Sequence, residues 1–278
     1  MIVIISDIHL GYEKCNRDSF ESFIDTYLLQ EDVDYLILLG DIIDFWRRSA
    51  KNVLRENKEI LTQLSDLNAK KYYILGNHDY TLPQLTQLQF TFRKDLLLQS
   101  GQKKFRFIHG YQIEYASSLQ FYEGLCTVLC TSGDETGHIL SDAWNFYQLK
   151  IREIPFEEIV NEHGLSNLSK EELGEIVELI MRYPEERPLY GKFTQQEIDE
   201  YRERAEVGPD EILVYGHTHN PCVKRNEANA GSWVSDSRRP NSYLTIEDGK
   251  VDLNYWESVY SDIIIEEAKG RCEYAEVF

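Results

Sequence analysis

Residues 35–44 read Tyr-Leu-Ile-Leu-Leu-Gly-Asp-Ile-Ile-Asp. Five apolar residues without alternation run straight into a glycine and two carboxylates. A short, non-alternating apolar run is the pattern of a strand buried on both faces. The polar residues just past its end fall where open α/β sheets bind ligands, beyond the carboxyl ends of the strands. The arrangement recurs four times. Residues 2–5 lead into Asp7-Ile-His9, 72–75 into Gly76-Asn77-His78-Asp79, 105–108 into His109-Gly110, and 212–215 into Gly216-His217-Thr-His219. All five polar clusters are therefore predicted to meet on one rim.

Outward from these runs the pattern is helical. Phe20, Phe23, Ile24, Tyr27 and Leu28 recur at helical spacing between the first two strands, and Ile60, Leu61, Leu64 and Leu67 between the next two. Strand–helix–strand alternation predicts right-handed crossovers and parallel pairing. After His109 the character changes, and residues 116–207 are mostly helical in pattern. Ser169-Lys-Glu-Glu172 and Thr194-Gln-Gln-Glu197 are capping boxes, the first followed by a stripe of Leu173, Ile176, Val177, Ile180 and Met181. This segment is expected to be a helical cap inserted in a single domain spanning 1–278. Its aromatic residues Phe121, Tyr122, Trp144, Phe146 and Tyr147 are read as packing onto the sheet, with a lid over an acyl chain or nucleobase as the functional alternative. Residues 243–246 and 251–255 flank Asp248-Gly249, a hairpin turn signal. The acidic tail after Trp256, with apolar residues 263–265, is expected to pack on the core surface.

At 278 residues and 42% hydrophobic, the chain can bury one large α/β core. Lys and Arg number 29 against 48 Asp and Glu, a net charge of -19. Such a surface repels polyanions and argues against DNA or anionic lipid as partners. A small phosphorylated substrate stays open, because bound cations invert the sign locally. No stretch is long and apolar enough to span a bilayer, and residues 2–5 lack a basic region before them. The five cysteines (Cys15, Cys126, Cys130, Cys222, Cys272) form no CxxC pair and read as reduced thiols, so a soluble cytoplasmic protein is expected. Cys126 and Cys130, at i and i+4, read as two small hydrophobes on a buried helix face.

The rim would gather Asp7, His9, Asp41, Asp44, Asn77, His78, Asp79, His109, His217 and His219. Imidazole and carboxylate together suit Zn, Mn, Fe and similar divalent ions. One ion needs three or four such ligands. The surplus predicts two ions sharing a bridging carboxylate, an arrangement that clamps both the attacking and the leaving oxygen of a phosphoryl centre. His138 and His163 match no motif and read as surface residues, and Asp79 reads as a turn or supporting group. Arg47 and Arg48 follow Asp44 closely and are candidates for binding substrate phosphate. Arg238 and Arg239 are weaker candidates.

The order Asp-x-His, Gly-Asp-x-x-Asp, Gly-Asn-His-Asp, His, Gly-His-x-His resembles the calcineurin-like metallophosphoesterase superfamily. The resemblance covers residues 1–109 and 211–255. It implies a four-layer α/β/β/α sandwich with the metals at the strand carboxyl ends. It further implies that Asp7, His9 and His219 hold the first metal, that Asn77, His109 and His217 hold the second, and that Asp41 bridges them. Hydroxide on the metals would be the nucleophile. His78 would contact the phosphate and protonate or stabilise the leaving oxygen, with Asp44 fixing its tautomer. Mn2+ is the first choice of ion, with Fe, Zn or Ni as alternatives. Asn229-Ala-Gly-Ser232 resembles the superfamily's Asn-x-Gly-Ser turn and is expected near the metals.

The helical insertion, the Gly-His-Thr-His motif and the Gly-Ser-Trp segment are similar to the UDP-2,3-diacylglucosamine pyrophosphatase branch. That branch carries Arg where this chain has His78, and histidine there favours a leaving group that needs a proton. The expected activity is hydrolysis of a phosphoester or phosphoanhydride bond in a small or lipid-linked substrate. The alternatives are a DNA or RNA nuclease, which the charge disfavours, and a metal-loaded interaction scaffold, which the intact ligand set disfavours.

Overall fold

The computed structural model describes residues 1–131, 192–237 and 239–256. The Ser169 capping box with its stripe, the aromatic residues Trp144, Phe146 and Tyr147, His138, His163, Arg238, Cys272 and the tail lie outside the described residues. So does the side chain of Phe121.

The apolar runs are strands, and their pairing follows the predicted order. Strands β1 (Ile2–Ile5), β2 (Tyr35–Leu38) and β3 (Lys70–Ile74) pair in parallel, with Ile4 opposite Ile37 and Ile37 opposite Tyr72. The chain between them is helical: α1 (Arg17–Phe23), which widens into a π-turn over Ile24–Leu28, then α2 (Ala50–Glu56) and α3 (Lys58–Asp66). Three further strands complete this sheet: β4 (Thr91–Arg93) beside β3, and the hairpin of β10 (Ser242–Glu247) and β11 (Lys250–Tyr255) beyond β1. Asp248 and Gly249 join the hairpin with φ of 48° and 78°. Positive φ at both central residues is the type I′ turn, which is why Asp-Gly sits there.

The remaining two apolar runs belong to a second sheet. It is built from β5 (Asp95–Ser100), β6 (Lys103–Ile108), β7 (Glu211–Tyr215), β8 (Cys222–Val223) and β9 (Glu227–Asn229), in the order β5-β6-β7-β9-β8. Strands β6 and β7 pair in parallel although more than a hundred residues separate them. The five strands read from the sequence thus divide three and two between the sheets.

Alternate residues of each strand face different layers. Ile2, Ile4, Ile37, Leu39 and Ile74 meet Phe105, Phe107, Ile212 and Val214 between the two sheets. Val3, Ile5, Leu36 and Leu38 point outward onto Phe20, Phe23, Ile24, Leu61 and Leu64. Leu213 and Tyr215 face the other outer layer, packed with Ile198 and Tyr201 of α7 (Gln195–Arg204). Both faces of each central strand are buried, so the apolar runs do not alternate. Each large apolar side chain so buried contributes about 1.5–3 kcal/mol. The result is the expected helix–sheet–sheet–helix sandwich.

The described ends of the 116–207 segment are helices. In α6 (Leu119–Thr131), Tyr122, Cys126, Leu129 and Cys130 join the first outer layer, as expected for the two cysteines. At the start of α7 the Thr194 capping box is formed: Thr194 Oγ1 accepts from Glu197 N at 3.2 Å, and Glu197 Oε2 accepts from Thr194 N at 2.7 Å. No helix among the described residues is long and apolar enough to cross a membrane.

Candidate metal centre

The loops that leave β1, β2 and β7 are locked together by their backbones. Asp7 N donates to Gly40 O at 3.1 Å and His9 N to Asp41 O at 2.9 Å, while Gly216 N donates to His109 O at 2.7 Å. His217 N reaches across to Asp7 Oδ2 at 2.8 Å, tying the two sheets at the rim. The loops are strained. Asp7, His9, Asp41, His217 and His219 all have φ between 51° and 63°. That left-handed conformation costs an L-residue about 1–2 kcal/mol. Here it falls on five of the seven residues assigned as ligands, a concentration typical of functional sites. At Gly76 a Cβ would run into the Asp41 carboxylate, so only glycine lets the β3 loop come this close.

Among the described residues the side chains form three overlapping trios, of which two hold only predicted ligands and the third is His9, Asp41 and His78. His219 Nε2 lies 3.1 Å from Asp7 Oδ1 and 3.2 Å from His9 Nε2, with His9 Nε2 3.8 Å from Asp7 Oδ1. His109 Nε2 lies 3.1 Å from Asp41 Oδ2, and His217 completes this second group; within each trio the ligand atoms are no more than 4.8 Å apart. Asp41 stands between the two, with Oδ2 3.9 Å from His9 Nε2.

The donor set fits divalent cations. Asp7 Oδ1, Asn77 Oδ1 and His109 Nε2 are buried and make no hydrogen bond. All three belong to residues assigned as ligands, and Asp7 Oδ1 and His109 Nε2 face charged neighbours, His219 Nε2 and Asp41 Oδ2, at 3.1 Å each. His109 Nδ1 lies 2.7 Å from Leu39 O and donates to it. That bond leaves the Nε2 lone pair for a metal, the usual way a ligating imidazole is oriented.

The local charges are strongly coupled. Burial would lower the His109 pKa, but the Asp41 and Asp7 carboxylates outweigh it and push it up to about 10. Burial would raise Asp7 and Asp41, yet the surrounding histidines hold both below the ordinary carboxylate range. Burial pushes His78 and His219 down, against the pull of neighbouring carboxylates. Without a cation, protons on imidazole balance the carboxylates; a cation would displace them.

His78 sits beside both groups. Its backbone N–H donates to Asp41 Oδ1 at 2.8 Å. Its ring stacks on Trp46 at 4.2 Å between centroids and meets His9 edge-on at 4.8 Å. Nδ1 lies 3.2 Å from Asp44 Oδ1. Asp44 does more than the sequence suggested. It also accepts from His9 Nδ1 at 3.1 Å, from the Trp46 and Arg47 backbone N–H groups at 3.1 Å, and from the Arg47 guanidinium. Burial would raise its pKa, but Arg47 and His78 hold it well below the ordinary range.

The other predicted residues have plain positions. Asp79 accepts from Gly76 N at 2.9 Å, Ile42 N at 2.8 Å and Tyr73 Oη at 2.5 Å, which is the loop-closing role expected. Burial, reinforced by Asp41, raises its pKa to about 6. Arg47 is buried with its guanidinium 4.1 Å over the Tyr12 ring, whereas Arg48 makes a two-point pair with Glu56 at 2.6 and 2.8 Å. Both line a cleft of about 580 Å3 beside the site, together with Tyr12, Arg17 and Asn57. Arg239 is exposed. Asn229 holds the Gly-His-Thr-His loop, donating to Gly216 O at 2.9 Å and Thr218 Oγ1 at 3.0 Å.

Two participants went unnoticed in the sequence. Trp46 supports His78 by stacking and donates from Nε1 to Asn77 O at 2.8 Å. Glu114, on the one-turn helix α5 (Tyr111–Glu114) that follows His109, places Oε2 2.7 Å from His217 Nε2. Its closeness in sequence to His109 was the one available signal.

The family model described as calcineurin-like phosphoesterase matches residues 1–221. No curated protein matches the chain. Among solved structures, the chain is similar to vacuolar protein sorting 29 from Cryptosporidium parvum, at 13% identity over 91% of this chain and 94% of that one, TM-score 0.38. It is similar to an archaeal phosphodiesterase, at 15% over 91% and 98%, TM-score 0.42. A third likeness is a dimetal phosphatase from Danio rerio, at 10% over 92% and 98%, TM-score 0.43. Likenesses at these scores carry no argument about activity or substrate.

Proposed function

The chain belongs to the calcineurin-like phosphoesterase family, hydrolases of phosphoester bonds, and from that premise we propose that it is a dinuclear enzyme cleaving a phosphoester or phosphoanhydride bond in a small or lipid-linked substrate. The observation that supports this reading is the two trios, Asp7–His9–His219 and Asp41–His109–His217, with Asp41 Oδ2 3.9 Å from His9 Nε2 and buried Asn77 Oδ1 left without a hydrogen bond. Asp7, His9 and His219 would hold one cation and Asn77, His109 and His217 the other, with Asp41 shared. Mn2+ is the first candidate, and Fe, Zn and Ni suit the same ligands. Cations held there would supply charge that polarises the phosphoryl oxygens and would make water a nucleophile near neutral pH.

The chain's own residues supply the rest. Asp44 faces His78 Nδ1, which leaves Nε2 as the nitrogen that can hold a proton for the leaving oxygen. Trp46 fixes the plane of that ring. The Arg48–Glu56 pair is half exposed, so it is worth at most about 1 kcal/mol, and a substrate phosphate can draw Arg48 away from it.

The test is hydrolysis of bis-p-nitrophenyl phosphate by metal-stripped protein with Mn2+ restored, for the wild type and His78→Ala. Metal-dependent turnover that falls by roughly 10²-fold or more in the variant is expected. Tight binding of Mn2+ with no turnover on this ester, on p-nitrophenyl phosphate or on a nucleotide-sugar pyrophosphate would overturn the proposal.

A further inference from the structure

The second trio contains a histidine that does not stand alone. His217 has left-handed backbone, its N–H is taken by Asp7, and its ring lies between Phe193, nearly parallel at 6.4 Å, and the edge of His109 at 5.1 Å. Its Nε2 is 2.7 Å from Glu114 Oε2, and both side chains are mostly buried, at 11% and 15% exposure. An imidazole whose Nε2–H is given to a carboxylate keeps its lone pair on Nδ1. Nδ1 is then the atom left for the trio formed with Asp41 and His109.

We propose that Glu114 is a positioning residue for the second cation, acting through His217 as the outer carboxylate of a carboxylate–histidine–metal relay. This rests on the two-cation reading above and deepens it. The carboxylate fixes the tautomer and rotation of the ring. The fold makes the relay cheap to hold. His109 ends β6, Gly110 turns the chain with φ of 137°, and α5 then brings Glu114 back over the same site. One loop therefore supplies a ligand of the second cation and the partner of another. Glu114 touches neither substrate nor cation in this account.

Calorimetric titration of the metal-stripped full chain with Mn2+ tests it without reference to turnover. The wild type is expected to show two binding steps. Glu114→Ala should weaken one step by about 10–100-fold and leave the other within about twofold, and Glu114→Gln, which keeps an acceptor oxygen, should recover part of the loss. A second readout separates positioning from general damage. In a His217→Ala background, Glu114→Ala should cause no further loss, because its route to the metal is already cut. Two unchanged steps in Glu114→Ala would overturn the proposal. So would a full additional loss in the His217→Ala background. A wild type without a second step would instead overturn the two-cation reading, and that result appears before any variant is made.

Discussion

The middle of each central strand and its carboxyl end are a few residues apart and obey opposite rules. In the middle, Ile4, Ile37 and Val214 lie in extended backbone, fully buried, each group paired in a ladder. At the ends, Asp7, Asp41 and His217 have left-handed backbone, and buried Asp7 Oδ1 and His109 Nε2 lack hydrogen bonds. The first region supplies stability with no strain. The second spends some of it to hold charged and imidazole groups closer than they would choose. A rim this unfavourable persists because the sandwich beneath it over-determines its backbone. Changes in the strand middles should therefore act on stability alone, whereas changes at the rim should act first on activity.

The largest expected effect is at the shared carboxylate. Asp41→Asn should lower kcat/KM on a phosphodiester by roughly four orders of magnitude, since cation charge at the reacting phosphoryl group contributes several kcal/mol. Its urea midpoint, without metal, should fall at neutral pH, because the folded state holds the Asp41 carboxylate below its ordinary pKa against the surrounding histidines. The reverse case is Phe107→Ala, between the sheets. It should cost about 3–5 kcal/mol in urea unfolding and leave kcat per folded molecule unchanged. Loss of kcat in proportion to stability would break the separation.

A smaller effect concerns pH. The His109 pKa is raised in the folded, metal-free chain from its ordinary 6.5 to about 10. A raised value means the folded state binds the proton more tightly, so this stabilisation is complete below pH 6.5 and is lost as pH climbs to about 10. A cation needs His109 deprotonated, so its binding strengthens over the same range. The Tm of metal-free protein should fall from pH 6.5 to 10, and the gain in Tm on adding Mn2+ should grow. A metal-induced gain that is flat with pH would remove His109 from the ligand set.

The smallest effect sharpens the meaning of the strain. Glu206 ends α7 with φ of 51° at an exposed position, where Val207 N bonds Arg202 O at 2.9 Å and Glu206 N bonds Glu203 O at 3.3 Å. That helix-ending motif prefers glycine at its left-handed residue. Glu206→Gly should stabilise by up to about 1 kcal/mol in thermal unfolding, with activity unchanged. Left-handed backbone away from the rim is thus removable, whereas at the rim it carries the ligands.

The sequence displayed most of this because burial on both faces forces continuous apolar runs, and the ligands follow those runs directly. Strands β4, β8 and β9 were illegible: two or three residues of mixed character leave no periodicity to read. Strand β5 alternates between exposed and half-buried residues at a sheet edge, and its three successive leucines hid that alternation. The division of the five strands between two sheets depends on partners far apart in the chain, which no local pattern encodes. The same distance concealed Glu114, which meets a histidine 103 residues away. The bond of Asp44 to His9 depends on how the β1 and β2 loops dock, which is likewise a matter of distant partners.

Whether Asp41 is shared by two cations is decided by anomalous X-ray scattering from crystals soaked in Mn2+. Two peaks roughly 3.5–4 Å apart are expected, one beside Asp7, His9 and His219, the other beside Asn77, His109 and His217, with Asp41 touching both. A single peak, or two that do not share Asp41, would contradict that arrangement.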